Sequence, residues 1–217
     1  MPRPSETDRA PWPRLIVAGA SLILAGAIVW LFVARGSDLA RPTAGERIIA
    51  FGDSLVQGVG ASPGRDMVSI LSRRLDVPIV NAGRSGDTTG SALARLDTSV
   101  LSRSPRVVLV LLGGNDMMRR VPRARMFENL ETIVTRIRAR GAAVILVSVE
   151  IGFGTGADGR AFEALAERTS SALVRDILSG IFGRSAMMSD GIHPNDRGYE
   201  VMADRIEPVL RKLVESP

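Results

Sequence analysis

The sequence predicts an α/β domain built on a parallel sheet that is covered on both faces. Three observations predict it. From residue 47 onward, strand-like and helix-like segments alternate. The strand-like segments are apolar along their whole length, as strands buried on both faces are. The polar residues of greatest chemical interest follow the early strands, at the carboxyl edge where open α/β sheets place their sites.

Residues 48–52 (IIAFG) are a short apolar run ending in glycine and read as the first strand. Residues 65–75 carry Met67, Val68, Ile70, Leu71 and Leu75 on one helical face. VPIVNAG (77–83) reads as a second strand and SALARLDTSVL (91–101) as a helix. RVVLVLLGG (106–114) is the strongest strand, an unbroken run of Val and Leu. Residues 123–140 form a long amphipathic helix stopping before Gly141, and AAVILVSVE (142–150) is a fourth buried strand. GFGTGADG (152–159) reads as a flexible loop, 160–169 as a helix, and SALV (171–174) as a short fifth strand. Residues 195–214 form the last helix, with Pro194 suited to its first turn.

Ahead of this domain, residues 1–14 are a flank and residues 15–34 (LIVAGASLILAGAIVWLFVA) are twenty positions without a charge. That is the length of a bilayer-spanning helix, about 20 residues. A cleaved signal peptide carries a shorter apolar run of about 7–15 residues, so an uncleaved membrane anchor is the first reading and a cleaved export signal the second. The domain is expected outside the cytoplasm, membrane-anchored or exported to the periplasm, although the arginines before the span (Arg3, Arg9, Arg14) and after it (Arg35, Arg41, Arg47) do not fix the orientation of an anchor. Residues 35–46 read as a linker, and 47–217 as the domain.

Composition narrows the chemistry. There is no cysteine, so there is no disulfide and no thiolate nucleophile or ligand. One histidine without cysteine argues against a metal centre. The net charge is +5, but the arginines are scattered among acids and aromatics are 4% of the chain. Nucleic-acid binding would need a basic stripe with stacking rings. GVG at 58–60 lacks the full dinucleotide fingerprint, and no G-x-S-x-G elbow is present. No cofactor is expected.

The chemistry-bearing residues fall in four places. FGDSLVQGVG (51–60) follows the first strand and sets Ser54 near a helix N-terminus, where a serine can also be a simple N-cap. NAGRSGDTTG (81–90) follows the second strand with glycines that let a backbone N–H approach a ligand. GGND (113–116) follows the third with the Asn115 amide as a donor. SDGIHPND (189–196) holds the sole histidine, His193, three residues after Asp190. At that spacing the carboxylate can hold one imidazole nitrogen and leave the other as a base. A serine nucleophile needs a base, the base an orienting acid, and the tetrahedral intermediate N–H donors for its oxyanion. One set of candidates covers all these roles.

GDSL, the glycine of SGDT, GGND and DGIHP resemble, in order, the four motif blocks of the SGNH (GDSL) hydrolase family, and they span residues 51–194. NAGRSGDTTGSALARL is especially similar to the branch of bacterial arylesterases, acyl-CoA thioesterase I and lysophospholipases. The resemblance implies a three-layer α/β/α flavodoxin-like fold with a five-stranded parallel sheet. It implies Ser54 as nucleophile, His193 as base and Asp190 as its orienter. It also implies an oxyanion hole from the N–H of Ser54, the N–H of Gly86 and the Asn115 side chain, with Gly83 the competing glycine. Asp53 and Asp116 are expected to orient loops. Substrates would be small acyl esters, thioesters or lysophospholipids, with a carbohydrate or cell-wall O-acetyl ester as the alternative and a non-catalytic binding module as the remote one. Met117 and Met118, after Asn115, are either an apolar lip for acyl chains or ordinary packing. The short segment between the fourth strand and Asp190 leaves room for only a reduced fifth strand.

Overall fold

A computed structural model describes residues 41–149 and 157–215. Its elements alternate as the sequence predicts. They run β1 (Arg47–Gly52), α1 (Ser54–Gln57), α2 (Met67–Leu75), β2 (Ile79–Gly83), α3 (Thr89–Ala94), α4 (Leu96–Ser99) and β3 (Pro105–Leu111). Then come α5 (Gly114–Met118), α6 (Arg123–Arg138), β4 (Ala143–Val147), α7 (Ala157–Arg168), β5 (Ala172–Val174) and α8 (Asp196–Val214). The five strands form one sheet in the order β2-β1-β3-β4-β5, and every pairing is parallel. This order turns back between β1 and β3, so the crevice for a ligand lies above the carboxyl ends of those two strands.

Alternate residues of each strand feed opposite cores. Ile48, Ala50, Val107, Leu109 and Leu111 pack with α2 and α8. Ile49, Phe51, Val108 and Val110 pack with α3, α6 and α7. Both faces are therefore dry along the inner strands β1, β3 and β4, which is why these carry no polar alternation, while the edge strand β2 is half-buried and exposes Asn81. The fifth strand is reduced to three residues, as its short flanking segment suggested.

Several boundaries differ from the sequence reading, each for a local reason. The second strand starts at Ile79 because residues 76–77 still cap α2: Asp76 takes a left-handed φ of 52° and the Val77 N–H donates to Ser72. The helix expected over 91–101 begins at Thr89 and breaks at Arg95, whose guanidinium is engaged with the sheet. The third strand stops at Leu111 because Gly113 turns the chain into α5. The helix placed at 160–169 starts at Ala157, so the end of the expected 152–159 loop is helical. Pro194 does not enter the first turn of α8. Asn195 is the cap, its side chain accepting the N–H groups of Arg197 and Gly198, and Pro194 precedes it. Part of the expected linker also belongs to the fold: Thr43 N–H donates to Gly141 and Glu46 N–H to Ser104. Among the described residues no helix is long and apolar enough to cross a membrane. The segment 15–34, expected to be an anchor or signal, lies outside the described residues, as does 150–156 of the fourth strand and following loop.

Candidate active site

The buried hydroxyl of Ser54 stands at the carboxyl end of β1. The N-cap of α1 is not Ser54 but Asp53, whose Oδ1 accepts the Leu55 N–H at 3.0 Å. Ser54 is thus the first helical residue, with its side chain free of capping. Its Oγ lies 3.1 Å from His193 Nε2, a contact that joins residues 139 positions apart. His193 Nδ1 meets Asp190 Oδ2 at 2.8 Å. The other carboxylate oxygen, Oδ1, accepts the backbone N–H groups of Ile192 and His193, each at 2.7 Å. These bonds hold the Asp190 carboxyl down at about 2, with the His193 side chain the largest cause and the two N–H groups next. Asp190 is therefore a fixed anion throughout the neutral range. It sets the Nδ1–H tautomer and leaves Nε2 as the acceptor facing Ser54.

The 189–196 segment is brought to Ser54 by contacts that the motifs did not announce. The sole tyrosine, Tyr199, is buried on α8 and donates its hydroxyl to the Val59 carbonyl at 2.7 Å. Ser62 N–H donates to Asp196 Oδ1 at 2.7 Å. Gly60 fits between these pieces: a Cβ there would stand 2.2 Å from Ser189 Oγ and 2.6 Å from the Pro194 carbonyl. The GVG run is thus a close-packing device, and the uniqueness of Tyr199 was the one available hint in the sequence.

The donor side of the site is built by two further loops. Gly86 is the second donor that the family resemblance implies, and Gly83 is its competitor. Gly83 N–H is already given to Asn81 Oδ1 at 2.9 Å, and a Cβ at Gly83 would collide with Gln57. Gly86 instead holds the third position of a turn closed by Asp87 N–H to the Arg84 carbonyl at 3.1 Å, with φ of 80°. That is a type II turn, which favours glycine there, and its closing bond leaves the Gly86 N–H unused. Ser85 N–H donates to Gln57 Oε1 at 2.6 Å and docks this turn onto α1. Asn115, on α5, is buried and gives an amide N–H to Asp53 Oδ2 at 3.3 Å. One amide hydrogen is thereby held and the other remains for an acceptor in the cleft.

Asp53 and Asp116 act as braces. Asp116 is fully buried and accepts both the N–H (2.8 Å) and the hydroxyl (2.6 Å) of Thr89, locking the third motif block to the second. Asp53 is 3% exposed, and burial pushes its carboxyl up to about 6 against the pull of the Leu55 N–H and the Asn115 amide. A third brace had no sequence signal. Arg95 lies over the Phe51 ring at 4.5 Å, pairs with buried Asp87, and donates to the Gly52 and Ala82 carbonyls at 3.0 Å each. It ties the ends of β1 and β2 to the Gly86 turn.

A cleft of about 400 Å³, including its open mouth, adjoins Ser54 and Asn115. Its apolar wall is Met118, Val149, Leu178, Phe182 and Ile192. Among the described residues the exposed large hydrophobic side chains are Met118 (47%), Phe182 (39%) and Ile192 (43%), and all three belong to this wall. Met117 does not line it: it is half-buried and packs against both cores. Among the described residues no three carboxylate or imidazole side chains converge to hold a metal ion.

Comparison with known proteins agrees with this layout. The family described as GDSL-like lipase/acylhydrolase matches residues 50–201. Esterase TesA of Pseudomonas aeruginosa is 32% identical over 187 residues, covering 81% of this chain and 93% of TesA. Thioesterase 1/protease 1/lysophospholipase L1 of Escherichia coli K12 is 30% identical over 182 residues, covering 80% and 88%. The crystal structure of TesA superimposes with a TM-score of 0.72 at 31% identity, over 77% of this chain and 99% of that one.

Proposed function

This chain belongs to the GDSL-like lipase/acylhydrolase family and is a carboxylic ester hydrolase, and from that premise we propose that it cleaves acyl esters and thioesters through an acyl-enzyme on Ser54. The reading is carried by one observation: the continuous relay Ser54 Oγ, His193 Nε2, His193 Nδ1, Asp190 Oδ2, at 3.1 and 2.8 Å.

In the first half-reaction, His193 Nε2 takes the Ser54 proton as Oγ attacks the acyl carbon. The carbonyl oxygen becomes an oxyanion and is met by the N–H of Ser54, the N–H of Gly86 and the free Asn115 amide hydrogen. One such donor is worth about 3 kcal/mol in the transition state. Collapse breaks the bond to the leaving oxygen or sulfur, which departs with the proton from His193. In the second half-reaction, water gives a proton to His193 and attacks the acyl carbon. The acid leaves and the proton returns to Ser54. In each half the unprotonated Nε2 of His193 is the atom that accepts the proton.

The apolar wall of the cleft supports an acyl chain beyond acetyl, with Met118, Phe182 and Ile192 at its rim. The uncharged run 15–34 supports export, with or without a retained membrane anchor; N-terminal sequencing of the native protein separates the two.

Ser54→Ala tests the assignment. Hydrolysis of p-nitrophenyl butyrate should fall by about three to six orders of magnitude. A variant with wild-type turnover would remove Ser54 from the mechanism.

A further inference from the structure

Ser54 has neighbours of two kinds. The cleft beside it has an apolar wall that includes Met118 and Phe182. The Gly86 turn lies outside that wall, docked on α1 through Ser85 N–H to Gln57 Oε1, and over it stands a cation. Arg119 Nη2 lies 3.3 Å from the point a Cβ on Gly86 would occupy. Arg119 comes one helical turn after Asn115, and its N–H donates to the Asn115 carbonyl at 3.0 Å. Its backbone is pinned by the end of α5. Arg120 N–H donates to Met117 at 3.1 Å and Val121 N–H to Asp116 at 2.9 Å, with Arg120 held at φ 57°. This is a Schellman closure with arginine at the position where glycine is usual.

Neighbouring cations of the turn are already committed: Arg84 pairs with Asp87 at 2.9 Å, and Arg95 is bound to Asp87 and two strand carbonyls. The guanidinium of Arg119 is exposed and has no carboxylate partner among the described residues. A planar donor fork without a partner, beside two oxyanion donors, suits the oxygens of a phosphate.

We propose that Arg119 is a specificity residue that binds an anionic group, phosphate above all, on the leaving-group side of the acyl bond. The acyl chain then takes the apolar side, and the alcohol or thiol departs past Arg119. This rests on the reading of Ser54, Gly86 and Asn115 as the groups around the scissile carbonyl. It makes the preferred substrates acyl donors with a charged leaving group, rather than simple neutral esters.

The test uses the full-length protein and four lauroyl substrates in two pairs. Lauroyl-CoA is set against the neutral thioester lauroyl-N-acetylcysteamine, and lauroyl lysophosphatidylglycerol against monolauroylglycerol. In each pair the readout is the ratio of kcat/KM, anionic over neutral. Arg119→Gln should lower the ratio about tenfold, the loss of one charge-assisted bidentate contact. Arg119→Lys should retain part of it. Arg140→Gln, an exposed arginine just before Gly141 at the amino end of the sheet, should leave it unchanged. A fall in one pair alone identifies whether the phosphate belongs to a thiol carrier or to a lipid head group. A ratio untouched by Arg119→Gln in both pairs, or lowered equally by Arg140→Gln, overturns the proposal. Ser54→Ala on the same panel separates the two levels: residual turnover there would sink the acyl-enzyme reading itself.

Discussion

Asp53 shows how much a single side chain does beside the Ser54–His193 pair. It caps α1, holds the Asn115 amide, and sits close enough to His193 to feel its charge. Burial is what raises its carboxyl from the ordinary 3.8 to about 6. The folded form therefore keeps a proton that the unfolded chain loses. Stability from this group falls as pH rises between about 4 and 6, by about 3 kcal/mol, and is flat above. Asp53→Asn removes that slope. Relative to wild type, the variant should gain about 3 kcal/mol in unfolding free energy between pH 3 and pH 7, read from urea titrations at each pH. Its activity should drop, because the new amide offers the Asn115 N–H no carboxylate acceptor. A wild-type-minus-variant difference that is constant with pH contradicts the burial of an ionising Asp53. Asp190 has the opposite sign: held at about 2, it favours the fold above the ordinary carboxylate range and loses that effect only in strong acid.

At the scale of elements, the active geometry depends on how α8 and the loop after α1 seat against each other. Tyr199, Asp196 and Gly60 make that seat. Gly60 has φ of 94°, where an L side chain is strained, and its added Cβ would strike Ser189 and the Pro194 carbonyl. Gly60→Ala should therefore shift the 189–194 segment, lower the melting temperature and reduce kcat by at least about tenfold, the local strain costing about 1–3 kcal/mol. Calorimetry and ester hydrolysis check this, and a variant matching wild type in both would show that the segment tolerates displacement. The long elements were legible in the sequence because burial writes itself into composition: β3 from Val107 onward and the whole of β4 are unbroken apolar runs. Boundaries were less so, because they depend on tertiary bonds. Nothing local in SALARLDTSVL marks the break at Arg95, which is set by carbonyls at the ends of β1 and β2. The capping role guessed for Ser54 belongs to its neighbour, since two adjacent residues could each cap and only the fold decides.

For the molecule as a whole, the strand order β2-β1-β3-β4-β5 places the loops after β1 and β3 at one crevice, with the turn after β2 beside them. A chain that ends with α8 packed against α2 then returns the sole histidine to its first loop. The motif blocks were readable one by one, and their order matched a known family. What the sequence did not carry was the second layer, in which Asp116 locks Thr89, Arg95 grips Asp87 and Gln57 holds Ser85. These pairs are distant in the chain and have no periodic signature. That Ser54 carries the acyl group because His193 takes its proton can be measured directly. The intact protein is treated with a fluorophosphonate ester, the adduct is located by peptide mass spectrometry, and the labelling rate is followed. One adduct is expected, on Ser54, and labelling slowed by at least about a hundredfold in His193→Gln. An adduct on any other residue, or a rate that His193→Gln leaves unchanged, would contradict it.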